Sequence, residues 1–278
     1  MSAAPPPDPA RRCAVLGSPI EHSLSPVLHQ SAYAKLGLDW SYGRYEVTEP
    51  ELPGFVAGLD PSWRGLSLTM PLKVAALGLG KVDELAALVG AANTVVLDPG
   101  GNRVYNTDVG GLVSAVVGAG AERVDRVTIL GAGATARSSL VSAARLGASR
   151  VRVVARTPAK AERLRPLAES LGVELEVADW LAPLPVADLV VSTVTAGSAD
   201  DRADEIAASG AVVFDAIYDP WPTPLAEAAK AAGRTVLSGL DLLVGQAVLQ
   251  VELMTGRQVE PAVLMSAGRT ALGRAGPA

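Results

Sequence analysis

The sequence predicts an α/β fold divided between two domains. Strand-like and helix-like segments alternate along the chain, which is typical of α/β proteins. From residue 124 onward, continuous apolar runs such as 189–191 and 212–214 favour parallel strands that are buried on both faces. In the same half, a glycine-rich segment at 131–136 separates a strand from a helix. Together these observations predict that the second domain is a doubly wound, Rossmann-type domain.

Composition narrows the possible functions. The chain has 278 residues, 49% of them hydrophobic, which is enough for one large or two modest domains with packed cores. A net charge of −5 without a strongly basic stretch argues against a nucleic-acid partner. The single cysteine, Cys13, excludes an intramolecular disulfide, and no apolar run approaches the roughly 20 residues that span a membrane. We therefore expect a cytoplasmic protein without a metal, nucleic-acid or membrane partner. It is expected to be a monomer or a homodimer, and the composition does not distinguish the two.

The elements of the first domain follow from periodicity and turn residues. Apolar runs indicate strands at 12–16, 41–47 and 65–68. Ser25 and Pro26 begin a helix that ends near Gly37, because proline favours the first helical turn and glycine the C-terminus. Strands at 93–97 and 103–105 are expected to form a hairpin. Further helical segments are predicted at 71–76, 83–89 and 109–117.

The second domain is predicted from alternating strands and helices. Its strands are expected near 126–130, 151–155, 173–177, 187–192, 211–216 and 234–237. A long helix at 240–255 follows them. We expect the first domain to comprise 11–109 plus 241–267 and the second 110–240. Residues 1–10 and 268–278 are expected to be flexible tails.

The turn at 131–136 has the composition of a dinucleotide-binding turn. Gly131 permits a tight turn, Gly133 lets the backbone approach a pyrophosphate, and the small Ala136 lets helix and strand pack closely. The helix that follows offers unpaired N–H groups and the positive end of its dipole to phosphates. The expected cofactor-binding residues of this turn are Gly131, Ala132, Gly133, Ala134, Thr135 and Ala136.

The tip of the next strand indicates which dinucleotide binds. NAD-binding versions carry an acidic residue there for the ribose 2′-hydroxyl. Here Arg156, Thr157 and Lys160 follow the strand, and no carboxylate occurs in this segment before Glu162. A guanidinium, a hydroxyl and an ammonium suit a 2′-phosphate, so we predict NADP rather than NAD. In the alternative interpretation, Thr157 only caps the helix starting at Pro158 and both cations are solvated.

Hydroxyl groups and a lysine form two polar clusters in the first domain. Ser23 and Ser25 flank a helix start, which suits a carboxylate; alternatively, Ser25 is an ordinary N-cap. Ser67 and Thr69 lie two residues apart on one face of a strand. Lys73 falls in the first turn of the next predicted helix, where the helix dipole disfavours a positive charge. A lysine in such a position suits general acid or base catalysis. Alternatively, it is an ordinary exposed lysine.

Two further clusters contain asparagine, threonine and aspartate. Asn93 and Thr94 follow two alanines, and Asn106 and Thr107 precede Asp108. Each motif alone is common in turns and caps. Their value comes from occurring together in a chain that also carries a dinucleotide-binding turn.

In these motifs the chain resembles the shikimate dehydrogenases, across residues 12–265. The family's G-x-P-I-x-H-S-x-S-P is matched at 17–26, T-x-P-x-K at 69–73, G-A-x-N-T at 90–94 and N-T-D at 106–108. Residues 215–225 match D-x-x-Y…T-P, and residues 239–246 match G-x-x-x-L-v-x-Q. The resemblance implies an α/β substrate-binding domain, closed by C-terminal helices, and a Rossmann-type NADP-binding domain.

The resemblance also implies an activity and the residues that carry it. NADPH would reversibly reduce the C3 carbonyl of 3-dehydroshikimate to give shikimate, in the shikimate pathway of aromatic amino-acid biosynthesis. Lys73 would donate to the carbonyl oxygen, and Asp108 would orient Lys73. The implied substrate-binding residues are Ser23, Ser25, Ser67, Thr69, Asn93, Tyr218 and Gln246. Thr193 and Gly239 would join the cofactor-binding residues.

The sequence departs from the family pattern at three positions. Ser67 stands where asparagine is frequent, and its shorter side chain would make a bond to a substrate hydroxyl water-mediated or absent. Ala134 adds a methyl group to the usual G-A-G-G turn, which a negative φ would tolerate. Ala155 removes one polar contact to the adenosine.

Two other functions stay open. A related enzyme would act on quinate, possibly with NAD, but quinate needs room beside Ser23 and Ser25 for an extra hydroxyl. A non-catalytic paralogue would bind a ligand for regulation, but the intact Lys73 and Asp108 argue against it. His22 and His29 are expected to be structural, because Lys73 and Asp108 already account for proton transfer.

Overall fold

The computed structural model describes residues 10–274, which form two compact units. The first unit contains the described residues up to Thr107 and those from Ala247 onward, and the second is Asp108–Gln246. Each unit contains one six-stranded sheet with helices, so the predicted α/β fold is confirmed. The parts of the predicted tails at 1–9 and 275–278 lie outside the described residues.

The elements alternate along the chain as the sequence predicts. The strands are β1 (Arg11–Gly17), β2 (Trp40–Glu46), β3 (Trp63–Leu68), β4 (Lys81–Val82), β5 (Thr94–Val96), β6 (Arg103–Tyr105), β7 (Arg126–Leu130), β8 (Arg150–Ala155), β9 (Glu174–Asp179), β10 (Ala187–Ser192), β11 (Gly210–Asp215) and β12 (Thr235–Ser238). The helices are α1 (Ser25–Leu36), α2 (Leu52–Ala57), α3 (Glu84–Val89), α4 (Asp108–Gly118), α5 (Ala134–Arg145), α6 (Pro158–Glu162), α7 (Arg165–Ser170), α8 (Ala203–Ser209), α9 (Pro224–Ala231), α10 (Gly239–Thr255) and α11 (Pro261–Arg274).

The first unit has a mixed sheet with the order β2-β1-β3-β5-β6-β4. β1, β2 and β3 are parallel, whereas β5 runs antiparallel to both β3 and β6. The predicted hairpin of β5 and β6 is therefore confirmed. Gly101 has φ of +118° in the turn between them, a conformation that favours glycine.

Both faces of this sheet are covered. One face packs against α2, α3 and a 3-10 helix at Ala75–Leu79, around buried residues such as Leu16 and Leu66. On the other face, a Cβ added to Gly65 of β3 would lie 2.6 Å from the Met254 side chain. Glycine at this position therefore lets the second half of α10 lie close against the strand.

The tail predicted from residue 268 is wrong for residues 268–274, which form the last turns of α11. Proline at the start favours the first helical turn. Leu264 and Gly268 lie four residues apart and are both buried, so one face of α11 packs against the first unit. Burial of this face, rather than a strong amphipathic pattern, accounts for the helix.

The helix predicted at 71–76 is also wrong. Turns occupy residues 71–74, and the 3-10 helix begins only at Ala75. Gly78 and Gly80 disfavour a longer helix, and β4 begins at Lys81. The argument that placed Lys73 in the first turn of an α-helix therefore does not hold.

The second unit is a doubly wound parallel sheet, as predicted. Its strand order is β12-β11-β10-β7-β8-β9, and every pairing is parallel. The chain runs from β7 outward to β9 and then returns to place β10 on the other side of β7. In such sheets, ligands bind beyond the carboxyl ends of the two strands at this reversal. Gly131 and Thr193 occupy these two ends.

Candidate functional site

Backbone hydrogen bonds join the segments that follow β1 and β3 in the first unit. Thr69 N donates to Leu16 O at 2.9 Å, and Ser18 N donates to Met70 O at 3.0 Å. A Cβ added to Gly17 would lie 2.4 Å from the Thr69 side chain, so glycine is needed for this close approach. The motifs at 17–26 and 69–73 therefore lie side by side.

The motif at 90–94 joins the same group. Leu68 N donates to Asn93 O at 2.8 Å, and Ala92 N donates to Lys73 O at 2.7 Å. Lys73 is half-buried in the turn after Leu68. The structure thus assembles three segments that are far apart in sequence around Thr69, Lys73 and Asn93.

The Asn93 amide has a fixed orientation. Its Oδ1 accepts from Thr94 Oγ1 at 2.9 Å, from Thr107 N at 2.8 Å and from Thr107 Oγ1 at 3.1 Å. Because three donors converge on the oxygen, the amide cannot be flipped, and the position of Nδ2 is fixed with it. Asn106 Nδ2 donates to Ala91 O at 2.9 Å, so this asparagine has the structural role that turn chemistry predicts.

The two serines at the start of α1 have different environments. Leu24 occupies the N-cap position, and Ser25 is the first helical residue, so the interpretation of Ser25 as the N-cap is wrong. Ser23 Oγ accepts from Ser25 N at 3.3 Å. Ser25 is buried and Ser23 half-buried. His29, one turn later, donates from Nδ1 to Ser25 O at 2.9 Å.

His29 is fully buried and stacks on Tyr42, with ring centroids 4.0 Å apart. Burial lowers the pKa of the imidazole to about 4, although the bond to Ser25 O and the nearby Gln250 amide act in the opposite direction. His29 is therefore neutral near pH 7, which supports the expected structural role.

The Ser67 hydroxyl is committed to protein partners. It accepts from Tyr42 Oη at 2.5 Å and donates to Gln250 Oε1 at 2.8 Å. Since a hydroxyl carries one proton, Ser67 has no second proton to donate to a substrate. Direct donation by Ser67 therefore has no support in this arrangement.

In the second unit, the dinucleotide-binding turn has the geometry that the sequence predicts. Gly131 has φ of +105°, and a Cβ there would lie 2.5 Å from Thr193 Oγ1, so a side chain would be strained and crowded. Thr193 donates from both N and Oγ1 to Leu130 O, at 2.9 and 2.8 Å. Gly133 is the N-cap of α5, and a Cβ added there would project into open space.

This open space and the first turn of α5 suit a pyrophosphate. Ala132, Thr135 and Ala136 complete the turn, with Ala136 fully buried against the sheet. Ala134 begins α5, and positive φ is confined to glycines among residues 10–274, so its φ is negative as the sequence analysis requires. An anion bound in this space would meet the helix N–H groups and the positive end of the helix dipole.

Arg156, Thr157 and Lys160 are exposed at the carboxyl end of β8. Thr157 is the N-cap residue of α6, yet in the described chain its side chain makes no hydrogen bond to the N–H groups of that helix. The alternative interpretation holds in part, since Thr157 occupies the N-cap position and Arg156 and Lys160 are exposed, but the capping hydrogen bond is absent. The two cations and the hydroxyl flank one strand end, as a 2′-phosphate site requires.

Asp215 holds the loop that carries Tyr218. Its carboxylate accepts from Thr223 Oγ1 at 2.7 Å and from Ile217 N at 3.4 Å. Burial raises the pKa of the Asp215 carboxyl. Gly239 N donates to Ile217 O at 3.0 Å, and a Cβ at Gly239 would lie 2.1 Å from Ala216 O. Gly239 therefore closes directly onto this loop, in which Tyr218 is half-buried.

Asp108 and Gln246 both belong to the second unit, where α4 and the first half of α10 touch through glycine. Asp108 is the buried first residue of α4, and the Gln246 Nε2 donates to Leu243 O at 2.8 Å within α10. A Cβ at Gly111 would lie 2.7 Å from Gln246 N, and one at Gly245 would lie 2.7 Å from Gly111 O. Lys73 belongs to the first unit and Asp108 to the second, so their pairing stays a prediction.

Sequence reasoning missed Tyr42 and Gln250. Neither belongs to a recognised motif, and Tyr42 resembles any aromatic residue of a strand. Gln250 follows Gln246 by four residues, which places both on one face of α10. This spacing was the available indication that Gln250 faces the same region.

The described chain lacks two other kinds of feature. No group of three or more His, Cys, Asp or Glu side chains within residues 10–274 could hold a metal ion. No helix in the same range combines the length and apolarity needed to cross a membrane.

Comparisons with known proteins agree with this arrangement. A family model described as the shikimate dehydrogenase substrate binding domain matches residues 15–95. The shikimate dehydrogenase (NADP(+)) of Methanothermobacter thermautotrophicus is 34% identical over 272 residues, covering 94% of this chain and 96% of that protein. The crystal structure of Mycobacterium tuberculosis shikimate dehydrogenase is 42% identical with a TM-score of 0.88, covering 94% of this chain and 99% of that one.

Two further solved structures are informative. The shikimate 5-dehydrogenase of Thermus thermophilus in complex with NADP(H) and shikimate is 33% identical, with a TM-score of 0.81 and coverage of 94% and 100%. The 5-ketofructose reductase of a Gluconobacter strain is 28% identical, with a TM-score of 0.85 and coverage of 95% and 99%. The three relatives named above at more than 30% identity are all called shikimate dehydrogenases or shikimate 5-dehydrogenases, and each match spans nearly the full length of both chains. The chain belongs to the shikimate dehydrogenase family.

Proposed function

We propose that this protein reversibly reduces 3-dehydroshikimate to shikimate with NADPH, as a step of the shikimate pathway. The observation that carries the proposal is the assembly of the three family motifs around Lys73 in the first unit. The glycine turn with Arg156 in the second unit supplies the matching cofactor site. The first unit is accordingly the substrate domain and the second the NADP domain.

Substrate binding is assigned to polar groups at strand and helix ends. The hydroxyls of Ser23 and Ser25 bind the carboxylate beside the first turn of α1. Thr69, Asn93 and Gln246 bind the ring hydroxyls, and Tyr218 lies near the carboxylate. For Asn93, Nδ2 is the group that faces the substrate, because three donors already hold Oδ1.

Proton transfer is assigned to Lys73 and Asp108. Bound NADPH supplies the hydride for the carbonyl carbon. Negative charge then develops on the carbonyl oxygen, where the Lys73 ammonium donates a proton or hydrogen bond. Asp108 orients that ammonium and accepts from a neighbouring hydroxyl. The protein's contribution is thus position and charge rather than redox chemistry.

NADP is proposed over NAD from the exposed groups at the end of β8. Arg156 can bind a 2′-phosphate through two parallel N–H donors, and Thr157 and Lys160 add a hydroxyl and a second positive charge. Thr193 and Gly239 lie at the ends of β10 and β12, where the nicotinamide half would extend.

A cytoplasmic location and a monomeric or homodimeric state complete the proposal. Light scattering of the purified protein tests the oligomeric state. Fractionation of cells tests the location.

The function is tested by following nicotinamide absorbance with shikimate or quinate, each with NADP⁺ or NAD⁺. The expected result is turnover with shikimate and NADP⁺. Preference for quinate or NAD⁺ would contradict the specificity argued from Ser23, Ser25 and Arg156. The absence of turnover in all four reactions would favour a non-catalytic ligand-binding protein.

One further substrate belongs in the same assay. A structural neighbour at 28% identity is named a 5-ketofructose reductase, so this fold also serves a different carbonyl substrate. Reduction of 5-ketofructose in preference to 3-dehydroshikimate would refute the proposed substrate while leaving the cofactor site intact.

A further inference from the structure

Gln250 lies at the centre of a buried chain of hydrogen bonds behind the substrate-binding motifs. It projects from α10 onto the sheet of the first unit and is fully buried. Its Oε1 accepts from Ser67 Oγ at 2.8 Å. Its Nε2 donates to Thr94 Oγ1 at 3.0 Å and to Asn93 O at 3.3 Å. One side chain thus links β3 to the first residues of β5.

The direction of every bond in this chain is determined. Tyr42 Oη donates to Ser67 Oγ, so Ser67 must give its own proton to Gln250 Oε1. Burial raises the pKa of the Tyr42 phenol, which keeps it a donor. Gln250 Nε2 donates to Thr94 Oγ1, which leaves the Thr94 proton for Asn93 Oδ1 at 2.9 Å.

Only an amide of this length can both accept a hydrogen bond from Ser67 and donate one to Thr94. A primary amide carries an acceptor and two donors at one end of a side chain, whereas a hydroxyl has one proton and a carboxylate has none. The Thr94 hydroxyl accepts from Gln250 Nε2, and its own proton is donated to Asn93 Oδ1. The remaining donors on Asn93 Oδ1 are the N and Oγ1 of Thr107.

We propose that Gln250 is a positioning residue that holds the Asn93 amide with Nδ2 toward the substrate. The inference rests on the proposed function, in which Asn93 binds a ring hydroxyl. Tyr42 and Ser67 belong to the same chain, and Ser67 acts through Gln250 rather than by donating to substrate. The serine that replaces the family's frequent asparagine thus has a defined partner in this protein.

The test compares Gln250→Met with Gln258→Met, a matched change at an exposed glutamine of the same unit. The shikimate Kd is measured by calorimetry, KM and kcat are measured for both substrates, and thermal melting checks folding. Gln250→Met should raise the shikimate Kd and KM about tenfold, the equivalent of one weakened hydrogen bond, with the NADP⁺ KM changed less than about twofold. Gln258→Met should change none of these values.

A double-mutant cycle separates positioning from general stability. In an Asn93→Ala background, Gln250→Met should cause little further loss of shikimate affinity, because the group that it positions is absent. Equal losses in both backgrounds, or an unchanged Kd for a folded Gln250→Met protein, would overturn the proposal. A wild-type protein that binds no shikimate would refute the proposed function instead.

Gln250→Glu provides a second variant if Gln250→Met fails to fold. A carboxylate accepts from Ser67 but cannot donate to Thr94, whereas its protonated form restores one donor. The shikimate KM of this variant, relative to wild type, should therefore fall as the pH is lowered. A pH-independent ratio would contradict the proposed direction of the hydrogen bonds.

Discussion

Replacement of His29 by asparagine should remove a pH-dependent part of the protein's stability. His29 is fully buried, and burial lowers its pKa to about 4 from an ordinary value of 6.5. Its described neighbours are uncharged: the Ser25 carbonyl accepts from Nδ1, the Tyr33 and Tyr42 rings pack against the imidazole, and the Gln250 amide lies beside it. Asparagine retains a donor but does not titrate.

The sign follows from proton binding. As the pH falls below 6.5, the unfolded chain binds a proton at His29 that the folded protein does not bind. The stabilisation is therefore complete above the unfolded pKa and is lost progressively as the pH falls toward the folded pKa. Between about pH 7 and about pH 5.5 the loss amounts to about 1.2 kcal/mol in the free energy of unfolding.

Urea unfolding followed by circular dichroism measures this difference at both pH values. Other titrating groups contribute equally to wild type and His29→Asn, so they cancel when the two pH dependences are subtracted. The variant should lose about 1.2 kcal/mol less than wild type over this range. Equal pH dependences would show that His29 takes up a proton in the folded state and would refute the argument from burial.

Three further predictions concern the site and its support. Arg156→Gln should raise the KM for NADP⁺ about tenfold or more, through loss of a charge-assisted hydrogen bond, and leave the KM for NAD⁺ nearly unchanged; parallel changes for both cofactors would argue against a 2′-phosphate contact. Lys73→Ala should lower kcat by about 100-fold or more while changing the shikimate KM little, and an unchanged kcat would remove Lys73 from the mechanism. Gly245→Ala places a Cβ 2.7 Å from the backbone oxygen of Gly111 and should cost about 1–3 kcal/mol in thermal unfolding. Gly118→Ala, whose Cβ meets open space, is its control, and equal melting temperatures would show that the contact is not tight.

The sequence by itself determined the architecture of the second unit. Apolar runs such as Leu189–Val191 can be satisfied only where both faces of a strand are buried, and a parallel sheet provides that environment. Gly131 identified the turn because its positive φ requires a residue without a Cβ, whereas Gly133 leaves open space at the start of α5. These properties depend on residues that are close together in the sequence, so the sequence alone can predict them.

The motifs of the first unit were also predicted from the sequence, but the hydrogen-bond partners of their side chains were not. Asn93 was identified from its motif, whereas the orientation of its amide depends on Thr94 and Thr107. Ser67 was assigned to the substrate from its position in the motif. Its actual partner, Gln250, is 183 residues away, and no local sequence pattern indicates that bond. The alternative that Ser25 is an N-cap failed because the helix begins one residue earlier than a serine–proline pair suggests.

Only the tertiary structure decided the remaining features. Residues 268–274 look like a tail, yet burial of Leu264 and Gly268 makes them helical. Residues 71–76 have a helical pattern, yet the chain must reach β4 at Lys81 and turns instead. In the sequence, Gln250 is an ordinary helix residue. It reaches the sheet only because Gly65 lets α10 lie against β3. Such outcomes depend on which surfaces meet, and distant residues supply those surfaces.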